Sequence, residues 1–196
     1  RDIHATLAEA VFKTTPTKRL RNIMKRIEYG MIYGGGEDSI WCAIVSQYPE
    51  VAFSEVSEGC RMLREILSDA TAWQQALLDA ARRNKYVEEP LSGRREYFYE
   101  GFIEPTKVVN FPIQGAAAKI MNDAVQRLDA ALDWTCESLL LQVHDELGIE
   151  GEDEGRLVKL IKNAMEAPVE YNGKTVVFPC EVKRGKDWGE MEVVAT

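Results

Sequence analysis

The chain has 196 residues, 45% hydrophobic and 29% charged, enough for a real core in one domain or two small ones. No apolar run approaches the roughly 18–20 residues of a membrane span, and no basic start leads into an apolar signal region. A soluble, cytoplasmic chain with no membrane partner is expected. The net charge of −8 does not mark out a generally basic nucleic-acid binder, yet the charge is uneven. Six basic residues and no acid lie from Lys13 to Arg26, whereas Glu150 to Glu154 is almost wholly acidic. A basic zone in an acidic chain fits one anionic ligand, and it fits a solvated helix face as well. Cys42, Cys60, Cys136 and Cys180 form no C-x-x-C pair, which argues against zinc and for reduced, buried thiols. The first residue is Arg1 rather than methionine, so a portion removed upstream or carried on another polypeptide is expected.

In chain order, residues 2–12 read as a helix capped by Asp2, and Thr14-Thr15-Pro16-Thr17 as a break with an N-cap. A second helix runs over about 18–33 and stops at Gly34-Gly35-Gly36. Residues 38–47, 51–67 and 69–84 carry helical periodicity. Tyr86 to Tyr99 reads as a loop or hairpin. A helical stretch from about Pro105 to Leu132 is expected to be interrupted near Pro112 and Gly115. Strands at 137–143 and 147–150, a helix near 153–166 and a last strand near 175–183 follow. The pattern is α+β, with a helical lobe, a small mixed lobe and a boundary near residue 100.

Arg21, Lys25, Tyr29 and Tyr33 recur every four residues, so they share one helix face: two cations, then two rings. Cations pair with phosphates and a ring packs on a base or sugar, which is the layout of a nucleotide. Gly30 and Gly34 would let a base pair approach the helix closely. An amphipathic helix with snorkelling cations and two core tyrosines fits the same spacing. Far downstream, an apolar run (Leu139, Leu140, Leu141, Val143) delivers Asp145 at a tight reversal, a rigid perch for metal-assisted phosphate chemistry. No Gly-Lys-Ser/Thr follows the glycines, so a Walker-type phosphate loop is excluded.

The string Arg21-x-x-x-Lys25-x-x-x-Tyr29-Gly30-x-x-Tyr33-Gly34 resembles motif B of family A DNA polymerases, and Gln142-Val143-His144-Asp145-Glu146 resembles their motif C. Asn110 to Ala118 is similar to the stretch between the two, Arg1-Asp2-Ile3-His4 to the segment after motif A, and Gly185-Lys186-Asp187-Trp188 to the closing segment. The five matches come in family order and span the chain. The resemblance is to bacterial polymerase I and, in Tyr29 to Gly34, to phage replicative enzymes.

That resemblance implies a right-hand polymerase fold incomplete at its N-terminus: mostly helical fingers over 1–100 on a small antiparallel-sheet palm portion over 101–196, with the catalytic hairpin at about 137–150. It implies nucleotidyl transfer from a dNTP to a primer 3′-OH with two Mg²⁺ ions. Arg21 and Lys25 would hold the triphosphate, Lys25 doubling as a candidate acid for pyrophosphate, and His4 would reach the phosphates. A capping or packing histidine is the plain alternative. Tyr29 would pack on sugar and base and confer tolerance of dideoxynucleotides. Tyr33 would stack at the template position until closure. Asn110 and Gln114 would contact primer–template DNA, Gln142 and His144 would lie near the primer end, and Arg94 and Arg95 would touch backbone phosphates. Asp145 would be a metal ligand, with Glu146 secondary because strand neighbours point to opposite faces. Glu28, an acid inside the basic helix, is expected to point away from the phosphates.

The resemblance also implies absences. No Asp-Tyr-Ser-x-Ile-Glu-like motif A occurs, so the second metal carboxylate is expected on an N-terminal portion, covalent or separate, and the chain alone is expected to be inactive. Rival readings are a single-subunit RNA polymerase portion, a non-catalytic DNA-binding subunit that kept the fold, and a metal-dependent nuclease around His144-Asp145-Glu146.

Overall fold

Asp2 turns its carboxylate onto the main-chain N–H groups of His4 and Ala5 (3.0 and 3.2 Å) and so caps α1, Ile3–Phe12. The structure is a computed structural model that describes residues 2–99 and 103–195; Arg1 of the segment before α1, and the boundary expected near residue 100, lie outside the described residues. Thr17 caps α2, Lys18–Ile32, by accepting from the N–H of Leu20. At its other end Gly34 takes a left-handed φ of 76°. Its N–H reaches the carbonyl of Met31 (3.0 Å), and the N–H of Gly35 reaches that of Gly30 (2.7 Å). This pair of bonds is a Schellman stop, and glycine makes it without Cβ strain. Three further helices follow: α3, Glu37–Val45; α4, Phe53–Ile66; and α5, Ser68–Asn84.

Apolar residues three and four apart bring these helices together. Leu7, Ala8 and Val11 of α1 meet Ile23, Met24 and Ile27 of α2, Ile40 and Ile44 of α3, and Val56, Cys60 and Leu63 of α4. Met24, Ile27, Ile44 and Leu63 are fully buried. Each contributes roughly 1.5–3 kcal/mol by leaving water. A second cluster joins Ala81, Val87, Phe98 and Val108. Here β1 (Tyr86–Glu88) pairs antiparallel with β2 (Arg95–Tyr97), which makes the Tyr86–Tyr99 stretch a hairpin.

The helix α6 runs unbroken from Pro105 to Ala131, so the interruption expected near Pro112 and Gly115 does not occur. Pro105 opens it at the first helical position, where a missing N–H costs nothing. Pro112 deletes one ladder bond, but 27 residues of helix carry the loss. Gly115 is no breaker either: a Cβ there would lie 2.6 Å from Glu89 Cγ, so the glycine admits a packed neighbour. Downstream, β3 (Ser138–Val143) pairs with β4 (Glu146–Glu150), and α7, Glu154–Met165, is capped by Asp153.

The single last strand expected at 175–183 is instead parts of two hairpins. β5 (Val169–Tyr171) pairs with β6 (Lys174–Val176), and β7 (Val182–Arg184) with β8 (Glu192–Ala195). Asn172 and Gly173 both take positive φ (49° and 70°), the signature of the two-residue type I′ turn that joins β5 to β6, and the expected run is split further on, over 177–181, where Pro179 lies between β6 and β7. The chain is α+β, its described strands forming four two-stranded antiparallel hairpins. Two compact units result. One is Arg1–Glu88 with Arg95–Pro112; the other is Glu89–Arg94 with Ile113–Thr196, the division falling within α6. The second unit has its own core of Leu128, Leu132, Leu157 and Ala164.

Candidate functional site

In the first unit an open groove of about 580 Å³ lies along α2. Lys25, Tyr29, Tyr33 and Asn22 line it together with Ile40 of α3 and Asn110 of α6. The stripe Ile23, Met24, Ile27 and Glu28 is buried, so the opposite face, carrying Lys25, Tyr29 and Tyr33, is left to solvent. Tyr29 and Tyr33 are 43% and 40% exposed, which rules out the reading of two core tyrosines. Their rings lie 6.3 Å apart, and Lys25 Nζ stands 5.5 Å from the Tyr29 centroid. A cation over an exposed ring contributes about 0.5–1 kcal/mol. Asn110 Oδ1 is buried without a hydrogen-bond partner among the described residues.

Two of the expected phosphate-binding groups are engaged in contacts between α2 and the N-terminal end of α1. Arg21 donates from Nε to the Asp2 carboxylate, and this contact holds the Asp2 carboxyl below its ordinary range. His4 is turned inward: its Nδ1 lies 2.7 Å from Glu28 Oε2, with the two residues only 9% and 6% exposed. Glu28 thus lies on the buried side of α2, away from Lys25. The signal for it was legible, since position 28 follows Met24 and Ile27 at core spacing. Gly30 faces the groove too, but its missing side chain admits Ile40 rather than only a ligand. On the β1–β2 hairpin Arg95 donates to Glu88 (2.7 Å) and lies over the Tyr86 ring, 4.5 Å from its centroid.

The second unit carries the carboxylate hairpin. Val143 pairs with Glu146, leaving His144 and Asp145 as the two loop residues. His144 has a φ of 54°, a left-handed value that costs a residue with a Cβ and is tolerated in tight two-residue turns. Gln142, His144, Asp145 and Glu146 are all exposed. Because Asp145 sits in the turn and Glu146 opens β4, strand alternation does not separate this pair as expected. Gln114 and Arg94 are exposed in the same unit.

The family model for DNA polymerase family A matches residues 1–190. The chain belongs to DNA polymerase family A. Among relatives of this family A chain, the thermostable DNA polymerase I of Thermus thermophilus is 32% identical over 204 residues, covering 96% of this chain and 23% of that polymerase. That of Thermus aquaticus is 29% identical over 201 residues, with the same two coverages. Among solved structures, the POL domain of Pol1 from M. smegmatis, in complex with DNA primer-template and dNTP, superposes with a TM-score of 0.70 at 27% identity. It covers 85% of this chain and 31% of that one. The chain therefore spans about a quarter of the length of the curated relatives it matches.

Mg²⁺ demands near-octahedral oxygen ligation. Among the described residues no three His, Cys, Asp or Glu side chains are grouped to hold a metal. Asp145 and Glu146 are an incomplete donor set, so the described residues do not by themselves fit the expected pair of ions.

Proposed function

We propose that the chain is the fingers and the C-terminal part of the palm of a template-directed DNA polymerase. The first compact unit is the fingers and the second the palm portion. Its partners are primer–template DNA, dNTPs and an N-terminal portion that carries motif A. The observation that carries this reading is the solvent-facing row Lys25, Tyr29, Tyr33 along a groove in a family A chain. The cation meets the triphosphate, and the rings meet the sugar and base. Asn110 offers an unsatisfied amide oxygen where a donor on a base pair would complete it. The similar M. smegmatis POL domain, in complex with DNA primer-template and dNTP, supports the same partners.

In the reaction, the primer 3′-OH attacks the α-phosphate and pyrophosphate leaves. Lys25 and Arg21 hold the triphosphate, Arg21 exchanging Asp2 for phosphate. His144 and Gln142 sit beside the primer end. Asp145 would supply one carboxylate to Mg²⁺, with the remaining donors on the N-terminal portion. The chain alone is therefore inactive, and it works in the cytoplasm once completed.

Primer extension with Mg²⁺ and the four dNTPs tests this. Extension should be absent with the chain alone, should appear when the N-terminal portion is added or fused, and should vanish again with Asp145→Ala. Synthesis by the isolated chain would overturn the division of the metal site. Unchanged synthesis by the completed Asp145→Ala assembly would overturn the role of Asp145.

A further inference from the structure

One buried acid has no part in the reaction above. Glu28 stands on the core stripe of α2, beside Tyr29 in sequence and one turn beyond Lys25. A buried carboxylate is costly unless it is hydrogen-bonded, and Glu28 Oε2 lies 2.7 Å from His4 Nδ1. An ionised carboxylate only accepts, so Nδ1 must carry the proton. This commits the imidazole to the Nδ1–H form on that side and fixes the plane of the ring. The edge of the same ring meets Tyr29, with centroids 5.4 Å apart at 86°. Lys25 lies over the Tyr29 ring and Tyr33 beside it. A continuous chain of contacts therefore runs from Glu28 through His4 to the aromatic wall of the groove. A second tie, Asp2 to Arg21, holds α1 to α2 two turns earlier on α2 until Arg21 turns to a phosphate, after which the His4–Glu28 contact remains.

We infer that Glu28 is a positioning residue of the groove: by accepting the Nδ1 proton of His4 it holds the imidazole edge against Tyr29 and so sets how the groove accommodates the nucleotide sugar. The inference rests on the groove binding a nucleotide, as proposed above. Without the acceptor, His4 is free to rotate, and Tyr29 loses the edge that limits its ring. With Nδ1 engaged, only Nε2 of His4 is left to meet a phosphate, and it donates there only when it too carries a proton.

Glu28→Gln keeps an acceptor of the same shape, whereas Glu28→Met keeps the shape and removes it. The chain has two histidines, so long-range ¹H–¹⁵N spectra of the ring nitrogens resolve both. His4 should show a protonated Nδ1 in the parent and in Glu28→Gln, and lose it in Glu28→Met. Titration with dTTP and with ddTTP, followed by tyrosine fluorescence, should show a dTTP/ddTTP affinity ratio shifted by about threefold or more in Glu28→Met and restored in Glu28→Gln. Lys25→Ala is the control for the underlying reading. If Lys25→Ala weakens both nucleotides while Glu28→Met leaves the ratio unchanged, the positioning role is wrong. If Lys25→Ala changes nothing, the groove is not a nucleotide site. An unprotonated Nδ1 in the parent would overturn the proposal whatever the nucleotides do. Should Glu28→Met fail to fold, Glu28→Leu in the same assays takes its place.

Discussion

Gly30 and Ile40 meet where no side chain fits between them: a Cβ on residue 30 would lie 2.5 Å from Ile40 Cγ1 and 2.8 Å from its Cδ1. The bare Cα of Gly30 thus lets α3 pack onto α2 beside the groove, and the glycine of the Tyr-Gly pair serves helix packing before it serves any ligand. Gly30→Ala is expected to cost about 1–3 kcal/mol by overpacking, read as a lower urea midpoint at unchanged slope. Ile40→Ala in the same chain should recover part of that loss, because it removes the clashing atoms. A single variant as stable as the parent would mean that the helices part without cost.

The cation–ring pair leads to a second expectation. Lys25 has no acidic partner within ion-pair distance among the described residues, and it stands over the Tyr29 ring. Lys25→Ala should weaken dNTP binding by about 10- to 100-fold, the range for losing one charge-assisted contact, with little change in melting temperature. Fluorescence titration of the chain reads the affinity. Tyr29→Phe, in the completed enzyme, should favour dNTP over ddNTP incorporation. Equal use of both would detach the Tyr29 hydroxyl from sugar recognition.

Much of this was legible in the residues. The fourfold spacing in α2 predicts a shared face, and the exposed Lys25, Tyr29 and Tyr33 occupy one. Asp2 and Thr17 are caps both by type and in place. The misses have physical causes. Pro112 and Gly115 carry breaker propensities, but propensity is local, while the fit of Glu89 against Gly115 is tertiary. Asn172-Gly173 is a strong hairpin signal hidden inside an apolar-rich stretch. The His4–Glu28 contact joins residues 24 apart, so spacing alone could say only that Glu28 is turned inward.

Acid sensitivity should concentrate on carboxylates tied inside the units. Arg156 Nε (2.8 Å from Oε1) and the N–H of Asp133 (2.8 Å from Oε2) hold the Glu137 carboxyl below its ordinary value of 4.5. Lys162 and the N–H of Cys180 do the same for Glu166, and Ser57 and Arg64 for Glu37. A lowered folded value means that the unfolded chain binds the proton first as the pH falls. The stabilisation is therefore full above the ordinary carboxylate range and is lost as pH drops through the lower folded values. Urea midpoints measured from neutral pH downward should hold steady and then fall below about pH 4.5. Glu137→Gln should start lower and fall less steeply. Parallel curves for the two chains would remove Glu137 from the account.

Thiol chemistry offers an independent check on the first core. Cys60 is fully buried among the helices of the first unit, and burial, reinforced by Glu37, pushes its thiol up to about 11. Cys42 and Cys136 are exposed. Because the thiolate is the reactive form, a charged disulfide reagent at neutral pH should modify Cys42 and Cys136 rapidly. Cys60 should react only on a timescale set by unfolding, and adding urea should bring its rate up to theirs. Rapid modification of Cys60 in the native chain would contradict the α1–α4 packing.

Asp145 separates folding from chemistry. It lies exposed in a two-residue turn whose positive φ falls on His144, not on Asp145. Asp145→Ala should therefore change stability by no more than about 0.5 kcal/mol, as surface changes away from caps and cores do. Yet in the completed assembly it should abolish synthesis, because alanine cannot replace the carboxylate that we propose as a metal ligand. His144→Gly should do the reverse: it relieves the left-handed backbone and should stabilise the hairpin, or leave it neutral, while removing only the side chain that we propose lies near the primer end. Thermal unfolding beside primer extension distinguishes the two. An Asp145→Ala chain that melts well below the parent would make Asp145 a structural turn residue, and its loss of activity would then carry no information about metal.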